Sequence, residues 1–458
     1  MTVSYSVLLI VLPLLFAFIS LLGKKVATWL LVGAVVINIV LALIIPNGQF
    51  VIGDYSSIMG ISLVLNDVVR LGLLLVNGLL LVVSLVTINR FEKIHLVLLL
   101  ATASLNGMLL TDDLFNLFVF LEIASIAGYL ISSLNKKPYS SFQYLVLGTV
   151  GGSFFLLGTI ILYSMFGTLN MTQLALDISS ANPNNLILPM MFIFIGIGVE
   201  AKFLGLNTWV KGVLGHSNVL TGPMIAGVYA AAIGFVFGKL TGLFVIEGSV
   251  LNILMIWLIA SVLLGDIMAF TSSKAKEVLL YSSIAGASLA ALLFVLDFDT
   301  WAINLLIMNT VGKTGLFLII NRMSEDLEDD ELSSYQGIFK NHIYLGLMFT
   351  LTVLSLMGLP LFVGFVIKMN YLTLVASQNM FVLAFLVLAS LIEGIYFTKM
   401  LVKLWDKKGH SKTIQFNQLT KIVIGIIGAL MLVFGIIQEP FVDHDEVLTP
   451  SMEVENNG

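Results

Sequence analysis

The sequence predicts an all-α polytopic membrane protein of about 14 transmembrane helices, with two inverted five-helix repeats that each contain a broken helix. Three observations point to this class. Hydrophobic residues make up 59% of the 458 residues and charged residues only 11%, and the mean hydropathy is +1.05. Such a composition excludes an ordinary soluble domain. Apolar runs long enough to cross a bilayer follow one another along the chain, and basic residues are concentrated in alternate breaks between them.

The apolar runs define the predicted spans, because about 20 apolar residues in a helix match the thickness of a bilayer. We expect the first run to be retained as a span, since no basic segment precedes it and no small-x-small cleavage site follows it. The predicted spans are 3–22, 26–46, 68–88, 94–111, 113–134, 141–165, 187–208, 219–242, 249–270, 278–297, 300–322, 343–377, 380–406 and 419–438.

Basic residues in alternate loops predict the orientation, because loops rich in Lys and Arg stay in the cytoplasm. The intervening loops carry aspartates instead, so both termini are expected on the outer side of the cell membrane. The basic loops contain Lys24, Lys25, Arg90, Lys93, Lys136, Lys137, Lys211, Lys274, Lys276, Arg322, Lys340, Lys403, Lys407, Lys408 and Lys412. The acidic loops contain Asp54, Asp67, Asp112, Asp113, Asp297 and Asp299.

This topology divides the chain into four parts. Spans 4–8 begin on the cytoplasmic side and, because five is an odd number, spans 9–13 begin on the other side. An inverted pair of units is therefore expected. The parts are an N-terminal three-helix segment (1–93), a first repeat (94–242), an inverted second repeat (249–406), and a last helix with an acidic tail (407–458).

The fourth helix of each repeat contains residues that interrupt helices. Gly205 closely follows Lys202 in span 7, whereas Gly358 and Pro360 precede Lys368 in span 12. Paired broken helices in two repeats are the best sequence pointer to an ion path. Gly and Pro are also common in ordinary spanning helices. A lysine beside both breaks favours the functional interpretation.

Four ionisable residues lie deep within predicted spans: Glu122, Lys202, Lys313 and Lys368. In the stretch 112–134, Glu122 is the only charged residue after the two opening aspartates. A carboxylate at the centre of a spanning helix costs roughly 2.5–3.5 kcal/mol, so a partner inside the protein is expected.

Two interpretations fit these charges. They form static ion pairs, or they form a proton relay, in which a lysine excluded from water releases its proton readily and a nearby carboxylate retains it. Buried pairs are seldom the most stable solution, which favours the relay. Possible accessory residues are His216, Lys239, Asp266 and Glu393. Glu200 is two residues from Lys202 and is expected to face another helix or subunit.

Four stretches carry a family resemblance: DLFNLFVFLEIASIAGYLI (113–131), FQYLVLGTVGGSFFLLGTIILYSMFGTLNM (142–171), EVLLYSSIAGASLAA (277–291) and GLPLFVGFVIK (358–368). The chain resembles, over essentially its whole length, the antiporter-like subunits of Mrp-type cation/proton antiporters, respiratory complex I and membrane-bound hydrogenases. The resemblance implies fourteen helices with two inverted five-helix units. It also implies that Glu122 is the family's span 5 glutamate, and that Lys202, Lys313 and Lys368 are its charges on spans 7, 11 and 12.

The chain departs from the family pattern at three places. Ala231 or Ala232 stands where span 8 usually carries a bridging lysine, and Lys239, about two turns later, is a candidate substitute. Asn309 stands where a histidine usually precedes the span 11 lysine, and it is therefore a further accessory residue. The turn after span 7 reads Trp209-Val210-Lys211 and lacks its proline. These departures indicate a divergent copy within a multi-subunit complex, of the hydrogenase-related or sulfur-reducing type.

Composition limits the chemistry. The chain has no cysteine and only five scattered histidines, His95, His216, His342, His410 and His444, so disulfides, iron–sulfur clusters and thiolate metal sites are excluded. We expect no cofactor, no metal and no redox catalysis in this chain. An enzymatic role would come only through an ion-translocating oxidoreductase that contains it, and a multi-subunit cation/proton antiporter is the other setting.

The sequence therefore predicts a subunit that translocates protons, with or without sodium, through a Glu/Lys relay at the membrane midplane. The alternative is a structural scaffold subunit that has lost its ion channel. Expected partners are other membrane subunits, protons and sodium, and the lipid bilayer, but no nucleic acid. The acidic run at 324–339 is either a solvated face or a docking site for a partner subunit.

Overall fold

The structure of the chain is a computed structural model that describes residues 5–52, 60–87, 90, 94–135, 137–406 and 414–437. Several residues named above lie outside these ranges: Asp54, Lys93, Lys136, Lys407, Lys408, His410, Lys412, His444 and the acidic tail. The first part of the chain forms α1 (Leu8–Ser20), α2 (Lys24–Ile44), β1 (Gly48–Val51), β2 (Ser62–Leu65), α3 (Asp67–Thr87), α4 (His95–Leu110), α5 (Leu114–Ser132), α6 (Pro138–Phe166), α7 (Met171–Ser179), α8 (Pro183–Glu200) and α9 (Thr208–Leu214).

The next span is continuous from Thr221 to Thr241 and consists of α10 (Thr221–Pro223), a π-helical segment (Met224–Tyr229) and α11 (Ala230–Thr241). The remaining helices are α12 (Gly248–Thr271), α13 (Ala275–Val295), α14 (Asp299–Leu327), α15 (Ile343–Met357), α16 (Val363–Gln378), α17 (Met380–Leu404) and α18 (Gln418–Ile437). The π-helical turn was not predicted, and such turns are frequent at functional sites.

The chain is an integral membrane protein and is mostly helical. Within the described ranges, eleven helices are long and apolar enough to cross a membrane, or twelve if a bent pair counts as one span. Two shorter apolar helices, Tyr5–Ser20 and His95–Leu110, lie at predicted spans 1 and 4. The count of fourteen spans, the inverted repeats and the orientation of the termini therefore stay predictions.

One feature departs from the all-α prediction. Strands β1 and β2 form a two-stranded antiparallel sheet in which Gly48 pairs with Leu65 and Val51 pairs with Ser62. The β2 sequence SLVL buries Ser62, Leu63 and Leu65 against the helices. The two strands are too short and too mixed in polarity to resemble a membrane span. The sequence pattern therefore predicted only a loop between spans 2 and 3.

Helix ends follow ordinary capping chemistry. The Asp113 side chain accepts a hydrogen bond from the Asn116 amide at 2.7 Å, and the Asn379 side chain accepts hydrogen bonds from the amides of Phe381 and Val382. Gly167, with φ of 71°, ends α6 in the left-handed conformation that glycine adopts without strain. The first two caps fix the starts of α5 and α17, the helices that carry Glu122 and Glu393.

Both predicted helix breaks are present. Helix α8 ends at Glu200, and Lys202 and Gly205 adopt positive φ values of 68° and 85° before α9 begins. Helix α15 ends at Met357, and Gly358 and Leu361 adopt φ values of 75° and 77° before α16 begins. Positive φ interrupts the helical hydrogen-bond ladder, so backbone and side-chain groups become available in the interior of the protein.

The most enclosed spans are α13, α14 and the span Thr221–Thr241, whereas α2 and α17 have much of their surface on the outside. The three enclosed spans pack against one another and against the broken helices. Charged side chains on the enclosed spans are therefore shielded from lipid.

Residues of the acidic run at 324–339 form ion pairs with basic side chains of the same chain. Arg90 and Glu325 form an ion pair at 2.8 Å, and Lys276 and Asp330 form one at 3.3 Å. The backbone amide of Val219 also donates to Glu325. The run thus links segments from both predicted repeats, and its docking to a partner subunit stays a prediction.

Candidate functional site

Glu122 lies at the contact of α5 with α6 and is half-buried. Its Oε1 atom occupies the place that a Cβ at Gly152 of α6 would take. Only glycine at that position leaves room for the carboxylate. Within the described part of the chain, no cation forms an ion pair with Glu122.

Glu200 is the last residue of α8. It is buried and accepts hydrogen bonds from Ser125 Oγ of α5 at 2.9 Å and from Tyr144 Oη of α6 at 2.7 Å. As the sequence predicted, it faces other helices. Coulomb interactions link Glu200 to both Glu122 and Lys202.

Lys202 extends from the break between α8 and α9 into the centre of the protein. It is only 2% exposed, and its Nζ donates to the carbonyl of Ile225 and to Ser283 Oγ, both at 3.4 Å. Ile225 belongs to the π-helical segment, and Ser283 belongs to α13. The ammonium group therefore lies where the two predicted repeats meet.

Lys313 approaches the same helix from α14. Its Nζ donates to Ser282 Oγ and lies 4.9 Å from the centre of the Phe397 ring, within cation–π range. Ser282 and Ser283 are neighbours, so one short segment of α13 contacts the ammonium groups of Lys202 and Lys313.

Tyr396 of α17 extends this network. Its hydroxyl group lies 2.8 Å from Ser282 Oγ and 3.2 Å from Asp266 Oδ1 of α12. Both Tyr396 and Asp266 are buried. An unbroken series of polar atoms thus runs from Lys313 to Asp266.

Lys368 and Glu393 form an ion pair with an Nζ–Oε2 distance of 2.5 Å. The ammonium also donates to the Met357 carbonyl at 3.1 Å and to Ser390 Oγ at 3.2 Å. Met357 is the last residue of α15, so the cation also satisfies the negative end of the broken helix. A Cβ added at Gly358 would lie 2.5 Å from Lys368 Cδ, so the break makes room for the lysine chain.

Two cavities adjoin these groups. One has about 420 Å³ of empty space and is lined by Asp266, Asn309, Lys368, Tyr371 and Glu393 among others. The other has about 330 Å³ and is lined by Glu200 and Lys202 together with mainly apolar side chains. The first offers several polar partners to water, as a hydrated path requires.

Three accessory candidates have different positions. Asn309 lines the first cavity and packs against Gly286 of α13. Lys239 contacts different groups from Lys202 and Lys313, because its Nζ donates to the carbonyls of Leu109 and Thr111 at 2.6 and 2.9 Å, at the end of α4. His216 lies on the exposed loop after α9, where its Nδ1 is 3.1 Å from the Gly212 carbonyl. Partial burial lowers the pKa of His216 below its ordinary value of 6.5.

Sequence reasoning missed the hydroxyl groups at this site. Ser125, Tyr144, Ser282, Ser283 and Tyr396 carry no charge and follow no diagnostic period, so no pattern marked them. The Ser282–Ser283 pair does lie in the quoted stretch EVLLYSSIAGASLAA, but its position beside two lysines depends on how α13 is rotated against its neighbours.

Comparison with known proteins matches residues 111–393 to the family model described as NADH:quinone oxidoreductase/Mrp antiporter, transmembrane. An NADH-quinone oxidoreductase subunit of Desulforudis audaxviator is 31% identical over 66% of this chain, and the match spans 63% of that protein. A Na(+)/H(+) antiporter subunit of Bacillus subtilis is 29% identical over 64% of this chain and 62% of its own length.

A solved structure extends the likeness to nearly the whole fold. A chain of the membrane-bound sulfane sulfur reductase, an archaeal respiratory membrane complex, superposes with a TM-score of 0.87 at 25% identity. The superposition covers 95% of this chain and 94% of that chain. These matches confirm the resemblance inferred from the motifs.

Proposed function

Because the chain belongs to the NADH:quinone oxidoreductase/Mrp antiporter transmembrane family, we propose that it translocates protons, with or without sodium, as one membrane subunit of a larger complex. Its relatives are named as subunits of an NADH-quinone oxidoreductase and of a Na(+)/H(+) antiporter. The likeness to a chain of a sulfane sulfur reductase supports a respiratory complex of the sulfur-reducing or hydrogenase-related type. The other membrane subunits of that complex are its expected partners.

The observation that carries the proposal is the meeting of Lys202 and Lys313 at Ser283 and Ser282. Two like charges brought near each other in a poorly solvated interior repel, so a proton on one lysine disfavours a proton on the other. This coupling lets a change at one end of a relay alter proton occupancy further along. Coulomb interactions also connect Lys313 with Lys368, Glu393 and Asp266.

In this scheme Glu122 acts on Lys202 through Glu200. Lys202 exchanges protons with Lys313, and Lys313 exchanges protons with Lys368 towards one exit. The cavity beside Lys368, Glu393 and Asp266 supplies the room for water at that exit. Static pairing explains less, because buried charges seldom stabilise a bundle better than apolar side chains do.

A second function is favoured by specific residues. Ala231 and Ala232 occupy span 8, and Asn309 cannot titrate, so this copy lacks two of the family's titratable positions. A chain without a channel would serve as a scaffold that joins other membrane subunits. The scaffold function predicts that Lys368→Ala leaves transport intact, whereas removal of the whole chain disperses the complex.

The test uses the intact complex in sealed vesicles under an imposed pH gradient, with and without sodium. Glu122→Gln removes the charge but keeps the size of the side chain, and we expect slower proton movement with unchanged assembly. Normal proton movement in that variant would contradict the relay. Equal rates of proton movement in sodium and potassium media would show that sodium takes no part in the transport.

A further inference from the structure

A hydrogen-bonded series connects Lys313 to Asp266 without a break. Lys313 Nζ contacts Ser282 Oγ, Ser282 Oγ lies 2.8 Å from Tyr396 Oη, and Tyr396 Oη lies 3.2 Å from Asp266 Oδ1. The four residues come from four different helices, α14, α13, α17 and α12. All four side chains are buried, so lipid and bulk solvent do not compete for these bonds.

We propose that Ser282 and Tyr396 are a proton wire that carries the proton of Lys313 to the carboxylate of Asp266. This inference rests on the proposed function, which passes the proton of Lys313 towards Lys368 and one exit but does not name the groups that carry it. Asp266 lines the same cavity as Lys368 and Glu393. The wire therefore ends at the side of the cavity that the relay is proposed to use as its exit.

The transfer balances in atoms and charge. An N–H bond of the Lys313 ammonium breaks as an O–H bond forms on Ser282. Ser282 passes its own proton to Tyr396, and Tyr396 passes its own to Asp266. The products are a neutral amine and a neutral carboxylic acid, and no oxidant, reductant or other reactant is consumed.

The chemistry of the two hydroxyl groups suits this role. A serine or tyrosine hydroxyl donates one hydrogen bond and accepts others, so each can receive a proton on one side and release one on the other. Tyr396 has a single hydroxyl proton but two acceptor neighbours, Ser282 and Asp266. Rotation of that O–H bond resets the wire after each transfer.

Tyr396→Phe removes the central hydroxyl and keeps the aromatic ring, whose centre lies 4.7 Å from that of Phe397. Proton movement by the intact complex in sealed vesicles is expected to fall at least about a hundredfold, the lower end of the range for loss of a positioned proton-transfer group. Tyr344→Phe is the matched control: it removes a hydroxyl that donates to the Lys421 carbonyl, between α15 and α18. This control is expected to transport like the parent.

Ser282 provides the second variant in case Tyr396→Phe does not assemble. Ser282→Ala removes the hydroxyl and is expected to slow proton movement, whereas Ser282→Thr keeps it and is expected to restore most of the rate. The solvent deuterium isotope effect on the remaining transport is expected to change in Ser282→Ala but not in Tyr344→Phe. A purely structural role would not alter that isotope effect.

The outcomes separate the wire from the relay. If Lys313→Ala abolishes transport but Tyr396→Phe and Ser282→Ala transport at the parent rate, the relay stands and the wire is wrong. If Lys313→Ala also transports at the parent rate, the proposed function fails together with the wire. Loss of transport in all three variants, with the parent rate in Tyr344→Phe, supports both.

Discussion

Lys202 and Lys313 donate hydrogen bonds to adjacent serines, Ser283 and Ser282, on helix α13. Lys202 comes from the break after α8, and Lys313 comes from the middle of α14. The contact therefore brings together one lysine from each predicted repeat. Coulomb repulsion between them provides the physical coupling that the proposed relay needs.

Lys202→Gly is expected to stop transport while preserving the fold. Lys202 has a φ of 68°, a left-handed conformation that costs a non-glycine residue roughly 1–2 kcal/mol. Glycine removes the ammonium and this strain together. We expect proton movement to be lost and the assembled complex to unfold at a temperature no lower than that of Lys202→Ala, as measured by thermal denaturation. Retained transport in Lys202→Gly would remove Lys202 from the relay.

Gly152→Ala is expected to displace the carboxylate of Glu122. The new methyl group would overlap Glu122 Oε1, the mobile end of a side chain, so the backbone has no need to move. Transport should decrease while assembly remains normal. Gly78→Ala is the matched control, because no atom of another helix in the described part of the chain lies within 4 Å of its added Cβ. Equal transport by the two variants would show that the position of Glu122 is unimportant.

Glu200→Gln tests the connection between Glu122 and Lys202. The amide keeps an oxygen to accept from Tyr144 and loses the charge that acts on Lys202. We expect vesicle transport to fall as far as it does in Glu122→Gln. Glu247→Gln, at an exposed carboxylate before α12, controls for loss of one negative charge. If only Glu122→Gln slows transport, Glu200 is a structural residue.

His216→Gln is expected to affect transport only in acidic medium. Burial lowers the pKa of His216 below 6.5, opposed by the Gly212 carbonyl and Asp330 and reinforced by Lys137 and Lys276. The His216 ring is therefore neutral at pH 7. It takes up a proton only as the pH falls below 6.5. Rates for parent and variant should coincide near about pH 8 and diverge near about pH 5.5. A difference that is the same at both values would contradict proton transfer through His216 as an accessory residue.

The sequence was sufficient to predict the features that depend on local composition. Apolar runs located the long apolar helices, and the positive-φ residues Gly205 and Gly358 marked the two helix breaks. The four deep charges also stood out, since a charged residue inside a span is rare. Each of these signals can be recognised without knowing which helices touch.

The rest depends on the rotation and contacts of helices, which hydropathy does not specify. Lys239 appeared able to replace a missing lysine, but its ammonium binds carbonyls at the end of α4. Glu200 appeared secondary because it faces away from Lys202 on an ideal helix, yet the left-handed turn at Lys202 ends that helix and keeps both groups in electrostatic contact. Ser282 and Tyr396 meet only because α13 and α17 pack side by side.

The most direct test of the relay is proton movement by the intact complex carrying Lys368→Ala, compared with the parent in sealed vesicles at matched assembly. Lys368 is the last lysine of the proposed path and forms the ion pair with Glu393 beside the polar cavity. We predict that transport falls at least about a hundredfold, as expected for loss of a proton-transfer group. Transport at the parent rate would contradict the relay and assign this chain to the scaffold class.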